Sequence, residues 1–146
     1  MSIEVTSCGV VVFRREPEPQ FLLLRKPGRY DFAKGHLEPG ETDVQCALRE
    51  LREETGIPEQ FVELDVDFRC TLRYPVWDKY LRADALKTLI LFLGWLRQPV
   101  DLVMTEHDAY EWRAWRPPHQ IQERTIDPAL AAIQRHWETG KGGATT

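Results

Sequence analysis

Residues 35–57 read GHLEPGETDVQCALRELREETGI, a loop punctuated by Gly35, Pro39 and Gly40 that runs into one long helix. The helix is expected over residues 42–55. Thr42 and Gln45 have capping-box spacing, in which each side chain satisfies the other's backbone N–H. Gly56 suits the left-handed position just past the last turn, and Pro58 blocks continuation. Val44, Ala47, Leu48 and Leu51 recur at helical spacing and mark the face expected to pack on a sheet.

The acids of this helix are not scattered. Glu50, Glu53 and Glu54 stand at i, i+3 and i+4, so they project from one side of a single turn. Three neighbouring anions repel one another and weaken an isolated helix; a bound cation is the natural compensation. An all-oxygen donor set favours a hard ion, Mg²⁺ or Mn²⁺, over zinc. Arg49 can hold one of these carboxylates in place. Glycine at position 35 permits close backbone approach to an ion or phosphate, and Glu38 and Glu41 add acids near the helix entrance. A solvated acidic helix without function is the ordinary reading of a Glu-rich stretch; the wider pattern decides against it.

Outward from this segment, residues 5–13 are rich in β-branched side chains and read as a strand, with residues 21–24 as partner across a Glu16-Pro17-Glu18-Pro19 turn. Residues 64–72, 87–96 and 110–115 read as further strands. Asp127-Pro128 opens a second helix, with aspartate as N-cap, running to about Trp137 and stopping before Gly140. Strands on both sides of a central helix, with another helix near the end, indicate a mixed α/β domain over residues 1–139 and a frayed tail over 140–146.

The 146 residues fit one domain, and 42% apolar with 29% charged residues is ordinary for a globular chain. A net charge of -4 argues against a general binder of nucleic acid or anionic membrane. Cys8, Cys46 and Cys70 are odd in number, far apart and without CxxC spacing, which points to buried thiols in a reducing compartment. No stretch has the length and polarity of a signal or membrane helix, so a cytoplasmic location is expected.

The whole segment resembles the signature of the Nudix family: Gly, five residues, Glu, seven residues, Arg-Glu-apolar, one residue, Glu-Glu, one residue, Gly-apolar. Gly35, Glu41, Arg49, Glu50, Leu51, Glu53, Glu54, Gly56 and Ile57 occupy every position. At average residue frequencies such a match arises on the order of once in 10⁹ windows. The resemblance implies a mixed sheet sandwiched between helices, an α/β/α Nudix fold, and metal-dependent hydrolysis of a phosphoanhydride. It implies metal ligation by Glu50, Glu53, Glu54 and the Gly35 carbonyl. By the same resemblance Arg49 orients the acids, Glu41 supports the loop, and Lys34 faces the phosphates.

SCGVVVF, the LLL run, KGHLEPGE and EHDAYEW together are similar to the asymmetric diadenosine tetraphosphate hydrolases, which release a nucleoside triphosphate and a monophosphate. That similarity implies an assisting acid at Glu106 and a phosphate-facing lysine at Lys87. Tyr74 and Tyr110 are candidates to stack on adenine, although one of Tyr110 and Trp112 is also expected in the core. His36 either touches phosphate or caps the turn; His107 is a site or a turn residue; His119 and His136 read as surface. Three departures stand out: Ala33 before Lys34, the run Tyr30-Asp31-Phe32, and the segment Pro75 to Tyr80, which does not align with the family loop. A Nudix enzyme acting on nucleoside triphosphates, RNA 5′ ends or diphosphoinositols is the nearest alternative, and a non-catalytic nucleotide sensor the alternative from another class. A small-molecule nucleotide is the expected partner, with no stable nucleic-acid partner and no membrane.

Overall fold

The computed structural model describes residues 3–104 and 109–140. Within them a single mixed sheet of eight strands is covered by one helix on each face. The strands are β1 (Ile3–Arg14), β2 (Gln20–Lys26), β3 (Arg29–Asp31), β4 (Ala33–His36), β5 (Val62–Leu64), β6 (Cys70–Asp78), β7 (Ala83–Leu96) and β8 (Ala109–Ala114). The helices are α1 (Asp43–Thr55) and α2 (Ile126–Glu138).

The sheet path is β3-β2-β1-β7-β5, with β4 also on β1, β6 on β7 and β8 on β2. β1 and β7 run parallel, from Ile3 opposite Ala85 to Phe13 opposite Trp95, and the other pairings are antiparallel. Because β1 is buried on both faces it is an almost unbroken apolar run rather than an alternating one. Its pleat sends Val11 and Phe13 toward α2, and Cys8, Val10 and Val12 toward α1. All three cysteines are buried and free, as expected. Among the described residues no helix is long and apolar enough to cross a membrane.

Helix α1 begins and ends where its local chemistry dictates. Thr42 and Gln45 form both bonds of the capping box, and Gly56 closes the helix at φ 78° with its N–H on the Arg52 carbonyl. The packed face differs from the expected one. Cys46, Ala47, Leu51 and Thr55 are buried, Leu48 is only partly covered, and Val44 is exposed. The interface is turned toward residues 46, 50 and 54, where a thiol and an alanine let the helix lie close to β1 and β4. The acids therefore stand at the edge of the packed face and not opposite it.

Four further expectations are corrected. Gly35 and His36 belong to a strand, not a loop: β4 pairs with β1, Gly35 opposite Cys8. The strand read over residues 64–72 is two, separated by a turn in which the Asp65 carboxylate accepts the Asp67 N–H and the Asp65 carbonyl accepts that of Phe68. The N-cap of α2 is Thr125, not Asp127. Asp127 instead accepts the N–H groups of Ile121 and Gln122, while the Gln122 side-chain oxygen accepts those of Thr125 and Ile126. Finally, His136 is packed on Phe68 with Nε2 2.9 Å from Asp65, and His119 packs on Phe21 and Trp115. Neither is a plain surface residue.

Candidate active site

Arg49 ties the signature together. Its guanidinium donates to both Glu41 oxygens at 2.6 and 3.0 Å, to Glu50 at 2.8 Å, to Glu53 at 2.9 Å and to the His36 carbonyl at 2.9 Å. A planar fork with five donors is the side chain able to serve so many acceptors at once. The Arg49 hydrogen bonds hold the Glu41 carboxyl at about pKa 2, so Glu41 is a fixed anion that anchors the arginine. Its second role is local, since it also accepts the Glu38 N–H and closes the loop before α1.

Glu50 lies against the backbone of β4. A methyl group built on Gly35 would stand 2.0 Å from the Glu50 carboxyl carbon. The glycine thus makes room for a carboxylate of the protein itself, a tighter demand than the ion or phosphate expected to approach there. Burial raises the Glu50 pKa above the usual carboxylate range, and the charges of Glu53 and Glu54 add to this against the pull of Arg49. Glu54 turns the other way: one oxygen accepts the Lys34 backbone N–H at 2.8 Å, and the other pairs with Lys26 at 3.1 Å.

The three acids consequently do not converge on one point. Among the described residues no three carboxylate, imidazole or thiol groups are gathered closely enough to cage an ion. Arg49 stands between Glu50 and Glu53, and β4 holds Glu54. The donor chemistry nevertheless fits a divalent cation. Three carboxylates share one helical turn, and the half-buried Glu50 is disfavoured as an anion, while the Gly35 carbonyl beside them also accepts the Cys46 thiol at 3.5 Å. A cation there offsets repulsion that the helix otherwise carries.

Beside this cluster a cavity of about 820 Å³ opens, bordered within the signature by Gly35, His36 and Glu50. Its walls are cationic. Lys34 pairs with the buried Asp31 at 3.1 Å, with Arg29 on the same carboxylate at 3.8 Å. Lys87 faces them, opposite Tyr74 in the β6–β7 register, and burial followed by repulsion from Lys34 lowers its pKa to about 8. Burial and then Lys87 also lower that of His36. Ser7 borders the cavity with a buried hydroxyl that has no protein partner among the described residues. Tyr74 contributes a half-buried ring with the Arg124 guanidinium 5.5 Å from its centroid, and burial lifts its hydroxyl to about 12.

Lys34, His36, Tyr74 and Lys87 are thus brought together from three strands, β4, β6 and β7. Tyr110 is not among them. It is exposed on β8 opposite Leu24, on the α1 side of the sheet, while Trp112 packs toward that core. Glu106 and His107 lie outside the described residues. Sequence reasoning missed Asp31 and Arg124. Of these only Asp31 carried a sequence signal, as an acid in a run that departs from the family pattern.

A family model described as the NUDIX domain matches residues 5–137. The asymmetrical bis(5′-nucleosyl)-tetraphosphatase of Sus scrofa is 36% identical over 118 residues, covering 73% of this chain and 76% of its own. The protein of that name from Caenorhabditis elegans is 31% identical over 113 residues, covering 74% and 78%. Among solved structures, a C. elegans Ap4A hydrolase binary complex superposes with a TM-score of 0.79 at 26% identity, over 92% of this chain and 98% of that one. The NUDIX domain of Shewanella oneidensis NrtR, complexed with ADP ribose, has a TM-score of 0.68 at 13% identity over 94% and 90%, a likeness of fold alone.

Proposed function

This chain belongs to the NUDIX family, and from that premise we propose that it cleaves dinucleoside tetraphosphates asymmetrically, diadenosine tetraphosphate giving ATP and AMP. One observation carries the reading: a cationic cavity, walled by Lys34, Lys87, Arg29 and Arg124, opens directly beside Glu50 and Gly35 of the signature. The names of the curated relatives support the same substrate.

The residues that would hold the divalent ion, Mg²⁺ or Mn²⁺, are Glu50, Glu53, Glu54 and the Gly35 carbonyl. When bound, such an ion screens phosphate charge and lowers the pKa of a water. The protein's own part is positioning and electrostatics. Lys34, Lys87 and His36 bind phosphoryl oxygens and draw the chain of phosphates across the mouth of the acid cluster. Arg49, anchored by Glu41, sets the directions of Glu50 and Glu53. Water attacks one phosphorus in line with the bridging oxygen that leaves; the water's proton passes to a carboxylate, for which Glu54 and Glu106 are the assigned candidates. Tyr74 stacks on an adenine within the cavity, which Tyr110 does not line. Three buried, unpaired thiols support a reducing, cytoplasmic setting.

The deciding experiment is a panel of dinucleoside polyphosphates, nucleoside triphosphates and diphosphoinositols with Mg²⁺, with products resolved. ATP plus AMP in equal amounts supports the reading; turnover of nucleoside triphosphates alone overturns it.

Lys87 makes the reading sensitive to pH. Its charge is lost as pH rises through about 8, so KM should climb above that pH. Lys87→Arg, which keeps its charge, should flatten the KM–pH profile up to about pH 10. The same climb in both proteins would remove Lys87 from phosphate binding.

A further inference from the structure

Strands β6 and β7 close as a hairpin whose turn stands at the rim of the cavity. Asp78, buried at its root, accepts the N–H groups of Tyr80 and Leu81, each at 2.9 Å, and so pins the turn. What it pins outward is aromatic: Trp77 is 64% exposed and Tyr80 73% exposed. Both line the cavity, as does Lys79, whose ammonium lies 5.5 Å from the Tyr80 ring centroid. Tyr80 also meets His36 of the signature edge-on at 5.7 Å, and borders a neighbouring hollow of about 420 Å³. Its ring therefore forms a crest between the phosphate-facing cavity and open surface.

Single exposed aromatics need no explanation. Two on one anchored turn, at the edge of a cationic cavity and touching a signature residue, form a site. A dinucleoside tetraphosphate brings two bases, separated by four phosphates. Tyr74, inside, offers one ring, and Arg124 lies against it. The other base must leave over the rim. We propose that the tip of the β6–β7 hairpin, through Tyr80 and Trp77, is a stacking platform for the nucleobase of the second nucleoside. This rests on the dinucleoside reading above. It assigns a specificity role to the segment that does not align with the family loop.

The test compares diadenosine tetraphosphate with adenosine 5′-tetraphosphate, which has the phosphates but one base, as substrate or competing ligand. The variant Tyr80→Ala/Trp77→Ala should raise KM for the two-base substrate about tenfold or more. Its kcat should stay within about threefold, because the lost contact is remote from the reacting phosphorus. Affinity for the one-base compound should stay unchanged, which also shows that the variant is folded. Tyr80→Phe, retaining the ring, should behave as wild type. An unchanged KM for the two-base substrate, or an equal loss for both compounds, overturns the platform and leaves the hydrolase reading intact. Failure of the wild-type enzyme to cleave diadenosine tetraphosphate overturns both.

Discussion

Glu54→Gln is expected to lower turnover by at least about 10³-fold, which corresponds to roughly 4 kcal/mol of transition-state stabilisation. The substitution separates shape from charge. Glutamine retains a carbonyl oxygen able to accept the Lys34 N–H now bound at 2.8 Å, so β4 keeps its attachment to α1. It cannot retain the negative charge that faces Lys26, nor the basicity needed to hold a cation or receive a proton. The loss should appear in kcat at saturating substrate and Mg²⁺, with the melting temperature changed little. Near-normal turnover would remove Glu54 from the chemistry.

Gly35→Ala should be almost as damaging, by a different route. The added methyl would lie 2.0 Å from the Glu50 carboxyl carbon and 2.1 and 2.4 Å from its oxygens. No side chain tolerates that, so Glu50 must swing aside. Its far end is flexible and the main-chain pairing of β4 with β1 need not move, so the fold should survive. The carboxylate, however, leaves its place against Gly35 and the Arg49 fork. Misplacement of a catalytic group by about 1 Å can cost about 10²-fold, and a loss of that size in kcat is expected here. A melting temperature near wild type alongside that loss is the predicted signature. An active Gly35→Ala enzyme would show that Glu50 is not needed where it now lies.

What could be read from the chain, and what could not, follows the range of the interactions. The ends of α1 were legible because a capping box and a left-handed glycine act within a few residues of themselves. The acids at 50, 53 and 54 were legible because helical spacing alone puts them on one turn. β4 was not, since Gly35 and His36 have no strand preference and are held extended by a partner, β1, that lies elsewhere in the chain. The division of residues 64–72 rested on the Asp65 turn, hidden within an alternation of apolar and acidic residues. Asp127 had every mark of an N-cap, yet its carboxylate folds back on Ile121 and Gln122. The site shows the same division. Its acids come from one helix, but its cations are collected from β3, β4, β7 and the segment before α2, and only the finished sheet brings Lys34, Lys87 and Arg124 to one cavity. The expected bundle of three acids was likewise altered by long-range partners, with Lys26 and the β4 backbone drawing Glu54 away.

The parallel pairing of β1 with β7 has a consequence for how the molecule comes into being. Ile3 waits for Ala85 and Phe13 for Trp95, so the middle of the sheet joins two strands far apart in the chain, β1 being made well before β7. On the ribosome, Val10, Val11, Val12 and Phe13 emerge well before their partners and have no completed seat until the chain has grown past Leu96. Nascent polypeptide of this enzyme therefore carries an apolar segment uncovered while the residues up to Leu96 are made, in the interval when chaperones act.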